Sequence, residues 1–213
     1  MFMRFSLVFA TVAFSTVAFA QFGGPQTNAI DPTVTSDVFQ VKYAANLNIG
    51  DSFVDFTNTG ATVAGVSQNL CANIYTFDPA EELISCCACS VTPNGLQSLS
   101  VLKSLISNPL TPAIPSSVVI KVIGSTGGPC NPNGSTTIFA HGLLAWGTTL
   151  HQNTSTTAAS YSVTETAFSQ ASLSLQEVNH IASTCAFIQA DGSGFGICKG
   201  CSAGGLGAGS SNQ

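Results

Sequence analysis

Charge is what this sequence is short of. Its 213 residues hold 5 Lys and Arg against 10 Asp and Glu, so only 7% of positions are charged, where ordinary soluble proteins carry about 25%. Arg4 sits in the leading apolar segment, leaving Lys42, Lys103, Lys121 and Lys199 as the remaining cations. Four isolated lysines in an acidic chain cannot displace the counterions of a phosphate backbone, so nucleic acid is not expected as a partner. Chemical signatures are missing too. There is no phosphate-cradling glycine loop, haem-attachment motif, Gly-x-Ser-x-Gly elbow, His-x-x-x-His metal pair or internal repeat. Beyond the first segment no long apolar run recurs, so the mature chain is expected to have no membrane span. Disorder does not fit either, because 45% of residues are hydrophobic, enough to form a core.

What is present begins with an export signal. Arg4 is followed by an apolar run and then by Ala18-Phe19-Ala20, the small-x-small pattern read by a signal peptidase. Residues 1–20 are therefore expected to be a signal peptide, with Gln21 the mature N-terminus. Residues 21–35 read as a flexible lead-in, 36–203 as a single disulfide-bonded β domain and 204–213 as a flexible Gly/Ser tail. The expected location is secreted, periplasmic or at the cell surface.

All eight cysteines, Cys71, Cys86, Cys87, Cys89, Cys130, Cys185, Cys198 and Cys201, follow the signal. In an oxidising compartment an even number reads first as disulfides. Eight cysteines admit about 105 pairings, which the sequence leaves open. Residues 70–77 and 82–91 read as neighbouring strands separated by Asp78-Pro79 and closed by Pro93-Asn94-Gly95. In an extended second strand Leu83, Ser85, Cys87 and Cys89 would share one face, and Ile84, Cys86 and Ala88 the other. Cys86 and Cys87 then point oppositely and need different partners.

Elsewhere the two-residue period of half-buried strands runs through Phe39, Val41 and Tyr43, and through Phe53 to Asn58. Residues 96–106 fit a strand or a brief helix. Residues 117–123 form the strongest strand, followed by a loop over 124–135 that holds Cys130. Residues 137–151 read as one strand, or two with a kink at Gly142 or Gly147, with Trp146 an expected core anchor. A last strand covers 160–168. Ser174 and Glu177 then fit a capping box, apolar residues from Leu175 to Ile188 recur at helical spacing, and Asp191-Gly192 ends the run.

Gly50-Asp51, the alternating strand after it and Asn58-Thr59-Gly60 resemble the first strands of bacterial surface immunoglobulin-like modules. The stretch from Cys71 through Thr92-Pro93-Asn94-Gly95, and the close over 194–201, resemble uncharacterised secreted bacterial Cys-rich proteins. The first resemblance implies a sandwich and the second implies export; neither implies an activity. The fold class expected is mainly β, a two-sheet β-sandwich with an immunoglobulin-like tendency and one C-terminal α-helix.

Each reactive reading has a plainer counterpart. Cys198 and Cys201 have the spacing of a redox or zinc half-site, and with Cys86, Cys87 and Cys89 could complete a thiolate site. The motif nevertheless lies between glycines, without the strand and helix start that lower a thiol pKa. His141, His151 and His180 lack metal spacing, and Glu81-Glu82 reads as a solvated turn. Asp191 opens a run too short for a calcium loop. Asn133 and Asn153 match the glycosylation sequon, read as chance in a chain of bacterial character. A hydrolase assembled from distant residues such as His141 and Asp55 is a third class. The leading expectation is thus a non-catalytic structural, adhesion or binding protein of the envelope or extracellular space, with no cofactor and no catalytic or metal residues. Its partner would be an extracellular or envelope component, with self-association a further option. The alternative is an exported thiol-redox or zinc-binding protein using Cys198 and Cys201.

Overall fold

The computed structural model describes residues 38–60, 62–63, 66–126, 129–133, 138–153 and 160–199. The expected signal peptide, its cleavage after Ala20, the lead-in, the tail and Cys201 all lie outside the described residues.

In chain order the strands are β1 (Phe39–Ala44), β2 (Phe53–Asn58), the short pair β3 (Thr62–Val63) and β4 (Val66–Ser67), β5 (Leu70–Phe77), β6 (Leu83–Val91) and β7 (Leu96–Ser100). A π-helical turn, Val101–Leu105, follows, then β8 (Val118–Thr126), β9 (Ile138–Phe139), β10 (Leu143–Asn153), β11 (Ser160–Ala167), β12 (Ser169–Ala171) and helix α1 (Leu175–Asp191). They build two antiparallel sheets. The larger runs β12-β1-β8-β5-β6 with β9 beside β8, and the smaller runs β11-β10-β2-β7. The expected two-sheet sandwich with one helix is what forms.

The layers are α1, the larger sheet and the smaller sheet. Ile74, Ile120 and Val122 pack with Val54, Phe56, Leu99 and Leu143 in one core, where the Phe56 and Phe168 rings meet edge-on at 6.3 Å. On the other side of the larger sheet, Phe39, Tyr75 and Ile123 pack with Val178, Ile181, Cys185 and Ile188 of α1 in a second core. Burial on both faces explains the β-branched run of β8, which only Lys121 interrupts before Gly124. A strand with no wet face has no need of polar alternation.

The chain passes between the two sheets repeatedly, and two of these crossings are made within a few residues. At Gly142, with φ 93°, it leaves the larger sheet at β9 and enters the smaller at β10; through Phe168 it returns from β11 to β12. Gly147 lies unkinked inside β10, opposite Val54 and Thr166. The restart after Gly142 also resets which side chains face inward. Leu143 and Ala145 are buried and Trp146 is half-buried on the outer face, so the expectation that Trp146 anchors the core is corrected. β8 continues to Thr126, beyond the predicted boundary, because Ser125 pairs with both Cys71 and Phe139. Gly124 is required inside it: a Cβ there would stand 2.7 Å from the Ala140 carbonyl oxygen. Residues 96–106 take both predicted conformations in succession, β7 and then the π-helical turn.

The hairpin of β5 and β6 departs from strict alternation at one place. Thr76 pairs with Ser85 but Phe77 pairs with Leu83, leaving Ile84 as the extra residue of a bulge. Leu83 therefore joins Cys86 on the helix side, while Ile84 joins Cys87 and Cys89 between the sheets. The turn before it holds Glu81, at φ 68°, and Glu82, both exposed. The Asp78 carboxylate accepts the backbone N–H groups of Ala80 at 2.9 Å and Glu82 at 3.0 Å.

Candidate functional site

The cysteine-bearing strand β6 lies at the edge of the larger sheet, and its side chains reach both cores. Cys86 bonds Cys185 of α1, with Cα atoms 6.0 Å apart across 99 residues. Cys87, pointing the other way, bonds Cys198, with Cα atoms 5.5 Å apart across 111 residues. On β5, Cys71 bonds Cys130, 59 residues away at 5.4 Å. Cys89 is also disulfide-bonded; Cys201 lies outside the described residues. The opposed directions of Cys86 and Cys87 produce the expected result, one strand stapled on both faces.

This arrangement removes the reactive sulfur readings. Cys198 is bonded to Cys87, so it is not half of a Cys198–Cys201 redox pair. Cys86, Cys87 and Cys198 are all engaged and supply no thiolate for zinc. Among the described residues there is no free cysteine and no group of three or more His, Cys, Asp or Glu able to hold a metal ion. Backbone bonds seal the same edge. Cys86 N–H donates to the Gly196 carbonyl at 2.9 Å, and Cys198 N–H to the Cys86 carbonyl at 3.3 Å. Gly196 has φ 72°, and a Cβ on it would come 2.8 Å from both Ile188 and Leu110.

The histidines stay apart. His141 is exposed just before the Gly142 crossing, and His180 is exposed on α1. His151 is exposed on β10, its Nε2 2.9 Å from the Thr164 hydroxyl. Asp55 is opposite Trp146 in the middle of β2, whereas His141 precedes the Gly142 crossing. Of the sequon residues, Asn133 donates through Nδ2 to Gln189 of α1 at 3.3 Å, and Asn153 ends β10 in an exposed position.

Several buried polar side chains that the sequence did not single out hold the frame. Gln40 Nε2 on the larger sheet donates to the Leu143 carbonyl of the smaller at 2.7 Å. Asn73 Nδ2 donates to the Ile123 carbonyl at 3.0 Å and the Ser125 hydroxyl at 2.8 Å. Asn58 Nδ2 donates to the carbonyls of Gln68 and Val91 at 2.9 and 3.0 Å. The buried Tyr75 hydroxyl donates to the Pro132 carbonyl at 2.6 Å, and burial pushes its pKa well above the usual phenol range. The only available signal was a polar residue at an inward strand position. Lys42 donates to the Thr166 hydroxyl, and partial burial lowers its pKa. Glu177, predicted for a capping box, spends its carboxylate on Lys121 at 3.1 Å. That lysine also stands 4.5 Å over the Phe77 ring, while Ser174 Oγ accepts the Glu177 N–H at 3.2 Å.

The remaining feature is a surface. Register places Leu96, Thr57 and Leu144 in one outward row of the smaller sheet, and Ser98, Asp55 and Trp146 in the next. Phe53 follows, 44% exposed, and Val163 and Tyr161 extend the same face along β11 at 63% and 51% exposed. Among the described residues no helix or strand layer lies over this face, whereas the larger sheet is covered on both sides. Asp55 and Glu165 are its only charges in the register rows described. Comparison with family models, curated proteins and solved structures found no match.

Proposed function

We propose that this is an exported, non-catalytic scaffold of the cell envelope or extracellular space, which binds or adheres through the bare outer face of its smaller sheet. The observation that carries the reading is the asymmetry of covering. One sheet is packed on both sides, and the other presents Trp146, Phe53, Leu144 and Leu96 outward on a rigid frame. Contiguous exposed apolar surface of this kind marks interaction sites in proteins that otherwise hide it. The near absence of charge favours a low-charge partner, since an acidic ligand would find no counter-charge on this face and a basic one only the two carboxylates of Asp55 and Glu165. The bridged sulfurs support the same reading: three of the four expected disulfides join distant segments and none leaves a reagent thiol. The resemblance to secreted bacterial Cys-rich proteins is consistent with export.

The test is retention at the cell surface. The full chain should stay with the envelope fraction, and the double variant Phe53→Lys with Trp146→Lys should pass into the medium while keeping its far-UV spectrum and its bridges. Equal partitioning of the two proteins would overturn the assignment of this face. Two reactive thiols at Cys198 and Cys201 in the untreated protein, or bound stoichiometric zinc, would overturn the non-catalytic reading.

A further inference from the structure

We infer that a second copy of this chain pairs antiparallel with the outer edge of β11, joining two smaller sheets into one continuous eight-stranded sheet. Among the described strands β11 pairs with β10 alone, through an unbroken register from Trp146 opposite Ala167 to Asn153 opposite Ser160. Residues Tyr161 to Ala167 are all exposed. The opposite end of the larger sheet is closed, because β6 is capped by the Ile197 bridge to Cys86. β12 offers only three residues and β7 five before it turns into the π-helical turn. β11 is thus the long open edge among the described strands.

Natural edge strands are usually blunted by lysine, proline, a bulge or brevity. β11 has none of these: Ser-Tyr-Ser-Val-Thr-Glu-Thr-Ala is β-prone, eight residues long and carries one charge. A strand pairing with its own copy does so about a twofold axis, so each residue meets a position fixed by that axis. With the axis at Val163, the valines face each other and Tyr161 faces the second copy's Glu165. The single carboxylate of each strand then meets a phenol rather than its own like, and no like charges are opposed. Val163 already stands opposite Leu150 on the outer face, so pairing makes one apolar row of Leu150, Val163 and their copies across the junction. The axis runs perpendicular to the sheet, so both bare faces point the same way. The dimer forms whether or not that face holds a partner.

Magnitude sets the kind of dimer. Eight residues at ~3.4 Å each span about 27 Å, and a contact about 10 Å deep along that length buries roughly 500 Å² over the two copies. That falls below the ~1,200 Å² of stable interfaces, which places the pair among weak, concentration-dependent ones. It closes at two because each copy has one such edge.

Sedimentation equilibrium of the mature, oxidised chain over a wide concentration range tests it. Mass should rise toward twice the monomer value with concentration and stop there. Val163→Lys and Val163→Glu should each remain monomeric, by like-charge opposition at the axis, and their equimolar mixture should recover the doubled mass. Phe187→Lys, on the exposed side of α1, should dimerise as the parent does. Unchanged thermal unfolding of the monomeric variants would assign their loss of mass to the edge and not to misfolding. A parent monomeric up to its solubility limit, a Val163→Lys dimer, or a mixture that fails to recover would each overturn the proposal.

Discussion

Each half-cystine of β6 bridges a segment that lies far away in sequence, and the energetic weight of a bridge grows with the loop it closes. The Cys86–Cys185 bond closes a loop of about a hundred residues and fastens α1. Replacing both residues by alanine should lower unfolding free energy by about 3 to 5 kcal/mol in a denaturant titration, and should expose the Phe39, Ile123 and Ile181 core first. Tyr75 carries a second, pH-dependent contribution. Its folded pKa is raised by burial, whereas the unfolded phenol titrates near ~10. The unfolded state therefore loses its proton first. This contribution is complete below about pH 10 and declines as pH rises beyond it toward the folded pKa, since the native state then holds more protons than the unfolded one. Tyr75→Phe should remove that alkaline slope, and should lower neutral-pH stability by about 1 kcal/mol for the lost bond to Pro132. Guanidinium titrations from neutral to alkaline pH would show both effects. An unchanged slope in Tyr75→Phe would place the alkaline titration elsewhere.

Two short segments decide how the strands are aimed. At the start of the π-helical turn, Ser100 Oγ accepts the Lys103 N–H at 2.8 Å, and Asp51 accepts the Ser100 hydroxyl and the Leu102 N–H, the latter at 3.0 Å. This is a helix cap shared between two loops. Asp51→Ala should cost about 1 to 2 kcal/mol of stability, and Asp51→Asn, which keeps an acceptor oxygen, should cost less. Gly142 aims β10 into the other sheet at φ 93°. An alanine there is strained by about 1 to 2 kcal/mol, and Gly142→Ala should show it as a lowered midpoint with an unchanged denaturant slope. Gly142 was legible as one of two possible kinks, because glycine interrupts an otherwise apolar run. That the strand changes sheets there was not legible, since periodicity describes one strand and says nothing about its neighbours. The same limit explains Trp146. Counting alternate residues through the glycine carried the wrong parity into β10, and the indole emerged on the outer face. The bulge at Ile84 did the same on a smaller scale.

At the level of the whole molecule, disulfides tie α1 and the segment after it to the larger sheet, while the smaller sheet is held by the shared core and the Gln40 bond to Leu143. The untreated protein should give no titratable thiol, and proteolytic mapping should return Cys71 with Cys130, Cys86 with Cys185, and Cys87 with Cys198. Cys89 should appear in a fourth linked pair, for which Cys201 is the one cysteine of the sequence left. Reduction should lower the unfolding midpoint far more than any single-bridge variant does, because it frees all of these loops together. Recovery of a Cys198–Cys201 link would contradict this architecture directly.

The sequence by itself determined composition and local pattern. Low charge, an even number of cysteines, two-residue periodicity and one capped helical stretch were enough for a β-sandwich with a C-terminal helix. Adjacent Cys86 and Cys87 were enough to require two different partners. These follow from properties of a residue and its near neighbours in the chain. The identity of those partners, the crossings at Gly142 and Phe168, the Gln40 bond between sheets, the bare face and the open edge of β11 were decided only by the tertiary structure. Each depends on which strands lie side by side, and that is a balance of packing over the whole chain that no short window of sequence contains.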